Sequence, residues 1–313
     1  MNKLKRKNSN LSVKLIAILF AMSSLQLSAK TPYEFSVYGG GGYSFFLNRP
    51  YTTTIQDPMN NKHYSSVEKV SSSGIGGDLG VGFTGFIAPQ FGLHVGLGLG
   101  FYNVGIKVDT LRTYEKEALT VPSNDRFYLC DLYTTLSNYR ETYKTVSLSI
   151  PFMLHFQATP NSSSWNRRSS TGQGFYAKAG IKLNILLSNN YELEVAKFHN
   201  EAYSPDLENI AATQEFAGLG TFKGKSGKGS FGYVQALFAF EAGMKWDIGD
   251  NRYVYTGAYL DYGLNDPSKS NREPMNNFDY TDREKLDMSS LLDFSNKMHL
   301  MTIGIKLRMA FIR

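Results

Sequence analysis

Between Gly74 and Asp109 the chain alternates with period two, apolar on one side and mostly glycine or polar on the other. Ile75, Leu79, Val81, Phe83 and Ile87 take the odd positions, and Gly76, Asp78, Gly80, Gly82 and Thr84 the even ones. After Ala88-Pro89-Gln90 the pattern resumes. Phe91, Leu93, Val95, Leu97, Leu99 and Phe101 face one way, and Gly92, His94, Gly96, Gly98, Gly100 and Tyr102 the other. Successive side chains of a strand point to opposite faces, so period two predicts strand. Each arm is about twice the length of an average globular strand. Two such arms around a tight turn suit a transmembrane β-barrel, whose tilted strands need roughly ten residues to cross the hydrocarbon.

The N-terminus reads as a secretory signal. Lys3, Lys5, Arg6, Lys7 and Lys14 precede or flank a short apolar core, Leu15 to Met22, and Leu27-Ser28-Ala29 predicts cleavage near Ala29. The core is too short to span a membrane as a helix. Residues 1–29 are therefore taken as a removable signal peptide and 30–313 as one barrel domain. Removal leaves 28 basic against 27 acidic residues, so the basic balance of the full chain belongs mostly to the signal. No basic patch argues for nucleic acid. With Cys130 the single cysteine, no intramolecular disulfide can form, and the residue reads as an ordinary loop thiol. Tyr (20) nearly equals Phe (21), which fits interfacial aromatic girdles.

Six further segments alternate. Glu34 to Phe46 is interrupted by Gly39 to Gly42, and Thr145 to Gln157 contains Pro151, which predicts a local break in the ladder. Phe175 to Ser188, Tyr233 to Asp247, Tyr253 to Tyr262 and Met301 to Arg313 follow. Connections after the first, third, fifth and seventh strands are long. Those after the second and sixth are tight (Ala88-Pro89-Gln90 and Gly249-Asp250-Asn251), and the one from Ala158 to Gly174 is intermediate. The expected fold is an all-β, eight-stranded antiparallel up-and-down transmembrane β-barrel with long extracellular loops and both termini periplasmic. The chain ends inside a strand, so no further domain is expected after the barrel.

The pieces Ser149-Ile150-Pro151-Phe152, Phe175-Tyr176-Ala177-Lys178-Ala179-Gly180, Glu241-Ala242-Gly243-Met244-Lys245 and Tyr259-Leu260-Asp261-Tyr262-Gly263-Leu264 resemble the outer-membrane β-barrel domain family of Bacteroidota, the PorT-like proteins. The architecture is also similar to the small OmpA and OmpX barrels. The resemblance implies residence in the Gram-negative outer membrane, contact with its lipids and lipopolysaccharide, and insertion by the barrel-assembly machinery. Those barrels often finish on Phe, whereas here Phe311 is followed by Ile312 and Arg313.

The face opposite the apolar one carries Asp78, Lys178, Lys182, Glu241, Lys245, Asp247, Asp261, Lys306 and Arg308. An eight-stranded interior is only wide enough for side chains, and buried charges are costly unless paired. A structural ion-pair network filling the lumen is the expectation. The function expected is structural or surface-binding, as a monomer, with the long loops presented to an unknown external ligand. The rivals are a small channel or secretion-associated barrel, a barrel enzyme, and a soluble calycin-like binder. No catalytic residue, cofactor or metal is assigned. His94 and His155 read as satisfied interior histidines. His63, His199 and His299 lie near long loops with no nucleophile and carboxylate at a recognisable spacing. Gly220 to Ser226 fails the phosphate-loop spacing, and Gly74, Gly76 and Gly80 lead into a strand, not a helix. Asp266, Asp279, Asp282 and Asp287 could hold calcium, but scattered loop acids are usually solvated.

Overall fold

The computed structural model describes residues 32–47, 54–56, 63–123, 126–158, 174–204, 209–210, 219–223, 226–230, 233–265, 277–278, 286–287 and 299–312. Eight long strands form the wall: β1 Tyr33–Leu47, β2 Val67–Ala88, β3 Phe91–Ser123, β4 Arg126–Ala158, β5 Gly174–Ser204, β6 Val234–Asp247, β7 Arg252–Gly263 and β8 His299–Ile312. Each pairs antiparallel with the next, and β1 pairs with β8 from Glu34↔Ile312 to Leu47↔His299, which closes the ring. The fold is an eight-stranded antiparallel up-and-down transmembrane β-barrel. Closure leaves no strand edge within the apolar band. The signal peptide and its cleavage site near Ala29 lie outside the described residues.

The facing follows the alternation. Ile75, Leu79, Val81, Leu97, Ile181, Phe238, Ile303 and Ile305 project outward, Ile305 with 74% of its surface exposed. Glu34, Asp78, Lys178, Lys182, Glu241, Asp261 and Arg308 point inward and are buried. A water-soluble barrel would place these two sets the other way round. On β3 the outward apolar run extends from Phe91 to Phe101, close to the roughly ten residues that span a bilayer. The turn between β6 and β7 places Gly249, Asp250 and Asn251 at positive φ (83°, 53° and 61°), a conformation that Gly, Asp and Asn tolerate best.

The wall is uneven in thickness. β1, β2 and β3 turn glycines into the lumen, and tyrosine side chains from β1 and β3 lie over them. A Cβ on Gly80 or on Gly98 would stand 2.8 Å from the Tyr38 hydroxyl, and one on Gly76 would stand 2.6 Å from the Tyr102 ring. Gly39 to Gly42, expected to interrupt the first strand, lie in continuous pairing with β8 and β2. Pro151 does break the ladder, on one side only. β3–β4 pairing stops at Val95↔Phe152 and resumes at Gly98↔Ser149, while β4–β5 pairing continues through Pro151↔Lys182. Proline has no N–H to donate toward β3.

Much of what the sequence assigns to long loops is strand. β3, β4 and β5 run on past the apolar band as a paired sheet, and β3 and β4 stay paired to Ser123↔Arg126, with one register shift between Glu115 and Leu119. Short strands Asn209–Ile210, Gly220–Lys223 and Ser226–Ser230 add to the β5 edge. Across this boundary the apolar face changes sides. Leu97, Leu99 and Phe101 point out, then Val104, Ile106 and Val108 point in. The inward set packs with Leu136, Tyr139, Leu193, Val195 and Phe198 into a core of its own. The outward face now carries polar and charged side chains, including Asn103, Lys107, Arg140 and the ion pair Lys144–Glu192 at 2.7 Å. Cys130, read as a loop residue, is buried on β4 within this extension. Gly220 to Ser226 falls partly in the added strands, and Gly74, Gly76 and Gly80 lie in β2, so neither glycine motif opens a helix.

Candidate functional site

The inward charges form a stack of three layers along the barrel. At the end where the tight turns lie, Lys245 Nζ on β6 reaches Glu34 Oε1 on β1 at 3.1 Å and Gln157 Oε1 at 2.9 Å. The Tyr255 hydroxyl donates to both Glu34 oxygens at 2.8 Å. The Lys245 ammonium also stands 4.0 Å from the Tyr253 ring centroid. In the middle layer Arg308 Nη2 on β8 donates to Glu241 Oε1 on β6, and the Tyr176 hydroxyl donates to the same oxygen at 2.8 Å. The guanidinium lies over the Tyr255 and Tyr176 rings at 4.6 and 5.2 Å. In the third layer Lys182 on β5 joins Asp78 Oδ2 on β2 at 2.9 Å and Asp261 Oδ2 on β7 at 2.5 Å. Lys306 on β8 reaches the same Asp78 oxygen at 3.1 Å, its ammonium 4.8 Å from the Tyr259 ring.

The ion pairs cross the lumen between strands that are not neighbours in the ring. Long cations on β5, β6 and β8 meet carboxylates on β1, β2, β6 and β7, and Gly40 leaves room for Lys306, whose Cε would stand 3.1 Å from a Cβ there. Each ion sits in a low dielectric, where charge-assisted hydrogen bonds offset part of the desolvation cost. Above the stack, Ser149 donates to Asn184 at 2.7 Å and Ser44 bonds Thr302 at 2.7 Å. Above that, Phe46, Tyr102, Tyr143, Leu186 and Leu300 close the bore with apolar side chains. Among the described residues, voids of ≈ 20 Å³ lie within the charged stack and among the side chains of the apolar cap. Each has room for a water or two.

Eight of the nine expected lumen charges belong to the stack. Asp247 does not: it sits at the β6–β7 turn, where its Oδ1 accepts the Gly249 N–H at 2.9 Å. Glu34 supplies the fourth acid instead. Alternation gave it the right face, but only the staggered closure of β1 on β8 brings it level with Lys245. Tyr176, Tyr255 and Gln157 were also missed, because a tyrosine on an alternating strand reads equally as girdle or lining. His94 is satisfied, Nδ1 bonding Thr84 Oγ1 at 2.9 Å. His155 is not. It is buried among the Phe86, Tyr176 and Tyr255 rings, and neither nitrogen has a hydrogen-bond partner.

On the extension, His199 has neighbours that the sequence spacing hides. Its Nδ1 bonds Thr221 Oγ1 at 2.7 Å and its Nε2 bonds Glu201 Oε1 at 2.8 Å. Thr221 is its cross-strand partner and Glu201 lies two residues along on the same face. The hydroxyl, imidazole and carboxylate are thus aligned, on an exposed sheet face with no cavity described beside them. His63 lies in a small hairpin, Thr54–Gln56 with His63–Ser65, and His299 Nδ1 bonds the Gly263 carbonyl at 2.7 Å. Asp266, Asp279 and Asp282 lie outside the described residues, and Asp287 falls in a two-residue strand paired with Asn277–Phe278.

No family model matches the chain, and no curated protein matches it in sequence. Among solved structures it is similar to Ail, the attachment invasion locus protein of Yersinia pestis, in complex with the heparin analogue sucrose octasulfate. Identity is 11% and the TM-score 0.27, with 89% of this chain and 99% of that chain covered. It is similar to the outer membrane protein OprG of Pseudomonas aeruginosa at 10% identity and TM-score 0.29, covering 89% and 95%. It is also similar to the translocator domain of the autotransporter NalP of Neisseria meningitidis at 10% identity and TM-score 0.21, covering 98% and 97%. Likenesses this distant add nothing to what the closed ring of eight strands establishes about the fold.

Proposed function

We propose that the chain is a non-enzymatic outer-membrane barrel whose sealed bore anchors an extended β-sheet used for binding outside the cell. The observation that carries this reading is the filled lumen beneath three strands that continue past the apolar band with a core of their own. A conduit needs an open bore, and here charged side chains and an apolar cap fill it. An anchor needs a rigid stem and a projecting surface, which β3, β4 and β5 supply. In this reading residues 1–29 direct secretion and are removed near Ala29, and both termini face the periplasm. The outward apolar face meets lipid, with lipopolysaccharide around the outer rim, and the barrel-assembly machinery inserts the chain as a monomer. Membership of the PorT-like family rests on the four sequence pieces quoted above. The external ligand is carried by the polar face of the extension.

Purified protein in a planar bilayer should show no steady conductance. Reproducible ion-selective steps that disappear when Lys182 and Arg308 are replaced would instead make the barrel a channel. Orientation is tested with a protease recognition sequence inserted at Asp250. Whole cells should protect it until the outer membrane is opened, and cutting in intact cells would reverse the topology.

A further inference from the structure

We infer that one buried water joins the middle and third layers of the charged stack, bridging Arg308 Nη1 to Asp78 Oδ1 with the Tyr38 and Tyr259 hydroxyls as its other partners. The inference rests on the filled-lumen reading, which conductance tests separately. The first observation is that orphaned polar atoms and space coincide. Arg308 Nη1, Asp78 Oδ1 and the hydroxyls of Tyr38 and Tyr259 are buried without a hydrogen-bond partner among the described residues. None of the four residues is more than 6% exposed, and all four line the void of ≈ 20 Å³ within the stack. A water needs about 10–15 Å³ of such space and roughly two to four polar partners.

The second observation is that strand register brings the four together. Tyr38 on β1 stands opposite Gly80 of β2 on one side and Arg308 of β8 on the other. Its hydroxyl lies over Gly80, where a Cβ would stand 2.8 Å from it, and Gly80 is two residues from Asp78 on the same face. Tyr259 on β7 stands opposite Glu241 of β6, the carboxylate that Arg308 holds through Nη2. The Lys306 ammonium that bonds Asp78 Oδ2 stands 5.1 Å from the Tyr38 ring centroid and 4.8 Å from that of Tyr259. Both tyrosines therefore flank the Lys306–Asp78 pair, and Arg308 Nη1 and Asp78 Oδ1 are the atoms that the direct ion pairs leave over.

Charge selects a neutral occupant. Three cations, Lys182, Lys306 and Arg308, and three carboxylates, Asp78, Asp261 and Glu241, line the same void. An ion of either sign would upset that balance in a low dielectric. A water supplies what the four atoms lack. It accepts from Arg308 Nη1 and one tyrosine hydroxyl, and donates to Asp78 Oδ1 and the other hydroxyl. The two layers then form one hydrogen-bonded network.

The test uses the full mature protein. Phenylalanine keeps each ring beside Lys306 and removes only the hydroxyl. A buried hydroxyl with no partner is costly, so without the water Tyr38→Phe and Tyr259→Phe would leave the thermal midpoint unchanged or raise it. With the water each variant loses a hydrogen bond and both midpoints should fall. The double variant should fall by less than the sum, because the two hydroxyls share one water. Crystals of the wild-type protein should show a water peak within hydrogen-bonding distance of Asp78 Oδ1 and Arg308 Nη1. A rise or no change in both variants would overturn the inference, as would a void without that peak or an Arg308 turned to bond Asp78 directly. Steady conductance would overturn the filled-lumen reading without moving these midpoints, so the two failures are distinguishable.

Discussion

Glu241→Gln is expected to destabilise the folded barrel by about 3–5 kcal/mol, because it leaves the Arg308 guanidinium buried without its carboxylate. Gln keeps the shape and an acceptor for the Tyr176 hydroxyl, so the loss reports the charge. Arg308→Met alone should cost a similar amount, by leaving Glu241 unpaired. The double variant should recover part of the sum, with a coupling of about 0.5–3 kcal/mol. Urea unfolding in lipid vesicles, followed by tryptophan fluorescence and by the gel shift between heated and unheated samples, measures all three. Additive losses would mean that Arg308 and Glu241 do not act as a pair and that packing alone seals the middle layer.

A second large effect separates the two faces of one strand. Leu97 lies near the middle of the outward apolar run of β3, and Leu97→Arg should cost about 2–4 kcal/mol by placing a charge at mid-bilayer depth. Its neighbour Gly98 faces the lumen, and a Cβ there would meet the Leu79 carbonyl oxygen at 2.6 Å and the Tyr38 hydroxyl at 2.8 Å. Gly98→Leu should therefore prevent closure of the barrel, seen as loss of the heat-modifiable band, although leucine is ideal for lipid. Asn103→Arg, two residues beyond Phe101 on the outward face, should be neutral because that position stands outside the apolar run. If Leu97→Arg folded as well as Asn103→Arg, the outward face would not meet hydrocarbon.

The sequence by itself determined the wall. Period two assigned faces to most strands, though least clearly from Tyr253 to Tyr262, the apolar runs counted eight strands, and the spacing of the tight turns at Pro89 and Asp250 gave the up-and-down order. It also identified eight of the nine charges that line the bore. These are local consequences of chain geometry, and no partner is needed to read them. Height along the barrel was not legible. Glu34 rather than Asp247 completes the stack because strand stagger sets which inward residues share a level, and stagger is a property of the closed ring. The lengths of β3, β4 and β5 were hidden for a different reason. At Phe101 the outer solvent changes from hydrocarbon to water, so the apolar residues move to the other face, from Leu97, Leu99 and Phe101 to Val104, Ile106 and Val108. In sequence that phase change looks like the end of a strand. In the folded molecule it is one continuous strand leaving the membrane, and His199 meets Thr221 and Glu201 because β5 likewise runs on to Ser204.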